Sequence, residues 1–192
     1  MSEMLKQQMQ RMCAITDAEF DAVFPLFVRK EIAKKEHVLR AGQICNHLNF
    51  CERGCFRNYY VTPEGEEVVV DFAVEDYWVG DLYSLINRVP TKYNFQALED
   101  SLIHAISFAD FRQACVDNPK LQEGYMMRAG RNNNAVVDLL AHTKHSSAED
   151  RYLKMLERLP GIANRVAANY IASYLGIQPA SLSRLKKKFA GR

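Results

Sequence analysis

The spacing of apolar positions changes period twice along the chain. Residues 16–26 read as a short helix. Phe20, Val23 and Phe24 recur at helical spacing, Thr16 and Glu19 form an N-terminal capping box, and Pro25 stops the run. From Val28 to about Phe108 the pattern becomes strand-like. Runs 47–51 and 55–61 are rich in aromatic and β-branched residues, and 67–72 answers the second across a turn carrying Pro63 and Gly65. Runs 97–98 and 101–106 supply later strands, and Gly42, Gly54, Gly65 and Gly80 punctuate the region. Many short strands with regular turn signals predict a β-sandwich or barrel. One helix interrupts it at 80–87, led by Gly80 and followed by Val89–Asn94; its free N–H groups could hold an anion, with Lys92 adding charge.

The period lengthens again after Phe108. A short helix over 108–115 breaks at Asn118-Pro119, and no proline interrupts 120–143, although Gly124 and Gly130 weaken it. Leu121, Tyr125, Arg128, Asn132, Ala135, Leu139 and His142 step by four and three in turn. An intradomain helix would also show apolar repeats, but polar groups within this heptad seam suit a helix paired with its twin, where Asn132 bonds its mate. Ser146 or Ser147 caps the next helix, 151–157, and the domain boundary falls near 144–148. The last stretch, 168–187, reads as two short helices and a tight turn. Ile171 and Leu175 share a face, Ala172 is small, and Gly176 ends the first helix in a left-handed conformation. Pro179 suits the first turn of the second helix, and Leu182, Leu185 and Phe189 give it one apolar face. Gln178, Ala180, Ser183, Arg184 and Lys187 lie on the other face. This is the layout of a DNA-reading helix-turn-helix, favoured over a plain surface hairpin.

Charge strengthens that reading. The 192 residues carry a net +2, but residues 151–192 hold nine basic side chains against one acid, a local +8, which leaves −6 on residues 1–150. A basic end on an acidic body suits a polyanion contacted at one end. No signal peptide and no apolar stretch near the ~20 residues of a membrane span are present, so a cytoplasmic chain without a membrane partner is expected. The five cysteines include no C-x-x-C pair, and His142 and His145 have no third ligand; no metal is expected, and the thiols are read as reduced and partly buried. No Ser/His/Asp set or phosphate loop of the Walker kind suggests an enzyme.

A β-rich first half, a long helix and a terminal helix-turn-helix resemble the Crp/Fnr family of bacterial transcription regulators. The specific points are Gly42 and Gly54, the Gly65 turn, Gly80-Asp81-Leu82 and the helix-turn-helix. The resemblance implies an α+β chain. A β-roll sensor (a double-stranded β-helix or cupin-like jelly roll) with flanking helices would cover 1–118. A dimerisation helix would cover 119–145, with Leu121, Tyr125, Arg128, Asn132, Ala135 and Leu139 at the interface of a homodimer. A DNA-binding domain would cover 146–192, with a reduced β-wing. The implied partners are palindromic double-stranded DNA, a second copy and RNA polymerase. The implied ligand site comprises Gly80, Asp81, Leu82, Tyr83, Thr91, Lys92, Tyr93 and Arg128. Here the chain departs from the family. Asp81 stands where nucleotide-binding members carry the ribose-binding Glu, and Thr91 where they carry the phosphate-binding Arg, with Lys92 one residue later. Losing that bidentate charge-assisted contact costs about 1.5–3 kcal/mol, so no cyclic nucleotide cofactor is expected; Tyr83 and Tyr93, or another ligand, would fill the cavity. The cysteine cluster of oxygen-responsive members has no match. Arg184 matches the guanine-reading Arg of the family, and Gln178, Ala180, Ser181, Ser183, Lys187 and Lys188 are the further DNA-contact candidates. With Pro179 and Ala180 at two contact positions, the sequence read would differ from the best-known family site. A ligand-binding or protein-interaction module without DNA function is the alternative.

Overall fold

The structure, a computed structural model, describes residues 2–125 and 147–189. It opens on a helix that the polar first residues did not suggest, α1 (Glu3–Cys13). Ser2 caps it by accepting from the Leu5 N–H, and Leu5, Met9 and Cys13, spaced by four, are buried. The apolar residues come singly or in pairs (Met4-Leu5, Met9, Met12-Cys13) between Gln, Lys and Arg, so no long run marks them. Next come α2 (Asp17–Val23), whose Thr16–Glu19 capping box forms as read, and a single 3₁₀ turn over Phe24–Leu26 that includes Pro25.

Two four-stranded antiparallel sheets follow. One is ordered β1 (Val28–Ile32), β8 (Ser101–Ser107), β3 (His47–Arg53), β6 (Trp78–Val79). The other is ordered β2 (His37–Leu39), β7 (Asn94–Ala97), β4 (Phe56–Val61), β5 (Glu67–Ala73). The strands read at 47–51, 55–61, 67–72 and 101–106 are all present. The strand expected at 97–98 begins earlier, at Asn94, where it pairs with Tyr59 of β4. The interrupting helix is α3 (Leu82–Asn87), and α4 (Phe108–Asp117) follows β8.

A helix α5 begins at residue 119 and is described to residue 125. Gly124 does more there than weaken a helix: a Cβ on it would lie 2.5 Å from the Met12 carbonyl oxygen and 2.7 Å from Cys13 Cα, so its absence lets α1 and α5 touch backbone to backbone. The seam expected to meet a second copy starts differently. Leu121 is only 2% exposed and belongs to the chain's own core, and Tyr125 packs on Phe111 with ring centroids 5.0 Å apart. Leu121 is therefore a core residue of its own chain and not a surface for a partner. Arg128, Asn132, Ala135, Leu139, His142 and His145 lie outside the described residues.

The basic end comprises α6 (Ala148–Arg158), α7 (Ile162–Arg165), α8 (Ala168–Leu175) and α9 (Pro179–Phe189). Ser147 caps α6 with Asp150 in a reciprocal capping box. Where a β-wing would lie, the short helix α7 follows a left-handed Gly161, and no strand is formed among the described residues of this end. Buried apolar residues form two clusters. The larger runs from α1 and α2 through both sheets to α4 and Leu121. The second joins Met155, Leu159, Ile171, Leu175 and Leu182 to Cys55, Tyr59, Val69 and Phe72 of β4, β5 and the loop before β4. The basic end thus shares a core with the second sheet.

Candidate nucleic-acid interface and cassette

The segment from Gly80 to Tyr93 folds around Asp81. Its side chain takes the N-cap of α3, where Oδ1 accepts from the Ser84 N–H at 3.1 Å. Its other oxygen accepts from Thr91 Oγ1 at 2.6 Å. Thr91 is 3% exposed, and its oxygen also accepts from the Tyr93 N–H. Ser84, fully buried, donates to the Val89 carbonyl and accepts from the Cys45 N–H. The helix start that could have held an anion is therefore already capped by a carboxylate of its own chain, which would repel one. Of the other expected ligand residues, Tyr83 is 70% exposed and does not fill the interior. Tyr93 is half-buried with the Lys92 ammonium 5.3 Å from its ring centroid, and Arg128 lies outside the described residues. Ser84 was missed by sequence reasoning; the signal was available, since it sits three residues after the Asp81 cap.

At the basic end, α8 and α9 are joined through Gly176, left-handed at φ 64°, whose N–H returns to Ala172 and Ser173 carbonyls. Arg151 reinforces this stop by donating to the Leu175 carbonyl at 2.9 Å. Leu182 is fully buried and anchors α9. Gln178, Ala180, Ser183, Arg184, Lys187 and Lys188 are exposed, and Ser181 is half-exposed, accepting from Arg184 at 3.4 Å. Lys188 differs from the rest because its ammonium pairs with Glu149 at 2.6 Å. Lys186 donates to the Ala163 carbonyl. The outward charge of α9 is carried by Arg184 and Lys187.

Three arginines tie this end to the second sheet, and local pattern revealed none of them. The Arg57 guanidinium is sandwiched between Tyr59 and Tyr170 of α8, 4.0 and 4.1 Å from the two ring centroids. It also donates to Gln96 at 2.8 Å and pairs with Glu67. Arg158 pairs with Asp71. Arg165 donates to both oxygens of Glu75 at 2.8 Å and also pairs with Glu99. Glu75 is raised by burial but lowered further by its bonds from Arg165 and the Gly54 N–H, so it sits below the usual carboxylate range. Strand β5 is an edge of its sheet, and Ser173 Oγ accepts its Val69 N–H at 3.0 Å, closing a ladder group that would otherwise be bare. Partly exposed ion pairs are worth about 0–1 kcal/mol each. Each buried side chain in the shared apolar cluster contributes about 1.5–3 kcal/mol. Burial holds the two parts together, and the arginines set their register.

The thiols, expected to be partly buried, lie deeper than that at four positions: Cys13, Cys45, Cys51 and Cys55 are buried and Cys115 is half-buried, and burial pushes Cys13 up to about 11 and Cys55 to about 12. Burial thus favours the neutral thiol at each of the four buried positions.

The chain thus combines a two-sheet domain, with Asp81 at the centre of its 80–93 segment, and a basic helical end that exposes one polar helix face. The cyclic nucleotide-binding domain family matches residues 29–118. The anaerobic regulatory protein of Haemophilus influenzae is 22% identical over 91% of this chain and 72% of its own. The fumarate and nitrate reduction regulatory protein of Yersinia pestis is 24% identical over 91% and 74%. Among solved structures, FixK2 from Bradyrhizobium japonicum superposes with a TM-score of 0.71 at 17% identity, over 85% of this chain and 84% of that one. With residues 29–118 matching the cyclic nucleotide-binding domain family, the chain is similar over nine-tenths of its length to regulators of the Crp/Fnr type. These relatives are regulators and not enzymes.

Proposed function

We propose that this chain is a homodimeric, sequence-specific DNA-binding transcription regulator. In this reading α8 and α9 are a helix-turn-helix, the two sheets are a jelly-roll sensor, and the cassette takes no cyclic nucleotide. The observation that carries the DNA role is α9 itself: its apolar face is anchored by fully buried Leu182 while Arg184 and Lys187 are exposed on the opposite face. Arg184 is the base-reading residue, pairing with guanine O6 and N7. Gln178, Ala180, Ser181 and Ser183 flank it, Lys187 contacts phosphate, and Lys188 joins only by leaving Glu149. Two such helices about 34 Å apart would read a palindromic site. With Leu121 turned inward, pairing along the long helix begins beyond Tyr125, at Arg128, Asn132, Ala135 and Leu139.

Arg184→Ala is expected to weaken binding to the specific site about ten- to a hundredfold while leaving non-specific binding nearly unchanged. Footprinting on genomic fragments, with its salt dependence, reads both; an unaltered footprint would remove Arg184 from base readout. The closed cassette is tested by calorimetry. No heat of binding is expected with cyclic AMP or cyclic GMP, and micromolar binding of either would overturn that part.

A further inference from the structure

A cavity borders the 80–93 segment, its lining residues Cys45 and Asn46 being bonded to Ser84 and Arg88 of that segment. It opens where β1 and β2 face the loop leading into β3, and its volume is about 610 Å³, within the range of small-molecule sites. Its floor is apolar, formed by Ile32, Leu39 and Ile103, each less than a tenth exposed. Its outer polar wall is rich in donors, while deeper in the cavity Asn49 donates its amide to the Val79 carbonyl and keeps an acceptor oxygen. Gln43 uses its amide oxygen to accept from the Arg40 N–H at 2.9 Å. Asn46 uses its own to accept from Arg88 at 2.7 Å. Among the described residues, both side chains keep their N–H₂ groups without an acceptor. Lys30 lines the same wall, and its ammonium enters no ion pair among the described residues. Glu36 is the one carboxylate lining the cavity, and an oxygen of it is held by the Ala33 N–H at 2.9 Å.

We infer that this cleft binds a small carboxylate with an apolar body: the carboxylate accepts from Lys30, Gln43 and Asn46 while the body lies over Ile32, Leu39 and Ile103. Four lone-pair sites on two oxygens match a wall of donors, and the Lys30 charge strengthens the bonds. The cleft also has a physical line to the output end. His37 forms part of the wall, and its Nε2 lies 3.0 Å from Tyr59 Oη. Tyr59 carries Arg57 on its ring, and the other face of Arg57 lies on Tyr170 of α8.

The probe is hexanoate, with uncharged hexanamide as the matched control, titrated into the full chain and followed by NMR of the histidine rings and the Arg57 Nε–H. Saturable shifts at His37, His47 and Arg57 are expected with hexanoate and none with hexanamide. Gln43→Glu and Asn46→Asp each keep the acceptor oxygen needed by the Arg40 N–H or Arg88, and replace the free donor by a carboxylate oxygen. Each is expected to weaken hexanoate about tenfold or more while the spectrum otherwise keeps its dispersion. Absence of a saturable shift overturns the inference. So does an equal response to hexanamide, which marks an apolar cavity only, or unchanged hexanoate affinity in both variants, which places the probe elsewhere.

Discussion

Residues 80–93 and residues 168–189 are built from similar parts: a left-handed glycine, a short helix and a set of polar side chains spaced along it. In the first segment the polar groups face one another. Asp81 takes both the Ser84 N–H and the Thr91 hydroxyl, and Ser84 takes both Val89 and Cys45. In the second, Gln178, Ser183, Arg184 and Lys187 face solvent, and the apolar residues between them hold the helix in place. The difference teaches that residue type does not make a recognition surface. A polar side chain is available to a ligand only when its own chain leaves it unsatisfied. The same rule separates the wall at Gln43 and Asn46, whose oxygens are occupied and whose amide N–H₂ groups, among the described residues, are not.

The largest expected effect comes from breaking the support behind the open surface. Leu182→Ala removes a fully buried side chain from the cluster that α9 shares with Phe72 and Tyr59. A loss of about 2–5 kcal/mol in urea unfolding is expected, with specific DNA binding falling in step. If stability held while binding fell, Leu182 would belong to the reading surface and not beneath it.

How much of this contrast the chain discloses before folding depends on the range of the contacts involved. The helix pair was legible because its logic is local: Ile171, Leu175, Leu182 and Leu185 repeat within one or two turns, and Gly176 marks the stop. The main strands were legible for the same reason. Helix α1 was not, because Met4-Leu5, Met9 and Met12-Cys13 are short apolar groups interrupted by Gln, Lys and Arg, and β6, two residues long, shows no period. Cassette closure was visible only in part: the missing Arg at Thr91 could be noticed, but not that Thr91 would turn inward onto Asp81. Charge counting misled in degree. Of the nine basic residues beyond 150, Arg158 and Arg165 pair with acids of the sheet domain and Lys188 with Glu149. Nothing local marks Arg57 for Tyr170, more than a hundred residues away.

A smaller effect is expected in the closed segment. Asp81→Ala removes the N-cap of α3 and leaves the buried Thr91 hydroxyl without its acceptor. Loss of a cap costs about 0.5–2 kcal/mol, and a stranded buried group about 1–3 kcal/mol more where water cannot reach it. Unfolding should therefore shift by about 2 kcal/mol, with DNA binding at a stable temperature little changed. Asp81→Asn, which keeps an acceptor oxygen, should lose less. Equal losses in the two variants would show that the carboxylate charge, and not its accepting geometry, closes the cassette.

The finest test concerns the contact that joins the two halves. Glu75 is held below its usual range, where the bonds from Arg165 and the Gly54 N–H outweigh the opposing effect of burial. Its folded value lies below the unfolded one of about 4.3, so the unfolded chain binds the proton more readily. The stabilisation is complete above about pH 4.3 and is lost as pH falls through the lower folded value. Glu75 is about a third exposed (32%), and Arg165 keeps Glu99 when Glu75 is neutral, so the amount is about 1 kcal/mol or less. Glu75→Gln should unfold slightly more easily at pH 7, and its stability should fall less steeply between about pH 5 and 3 than that of the unaltered chain. Parallel pH profiles for the two would mean that Arg165 rests on Glu99 alone, and that the register between the second sheet and the helix pair is set by Arg57, Arg158 and the shared apolar cluster.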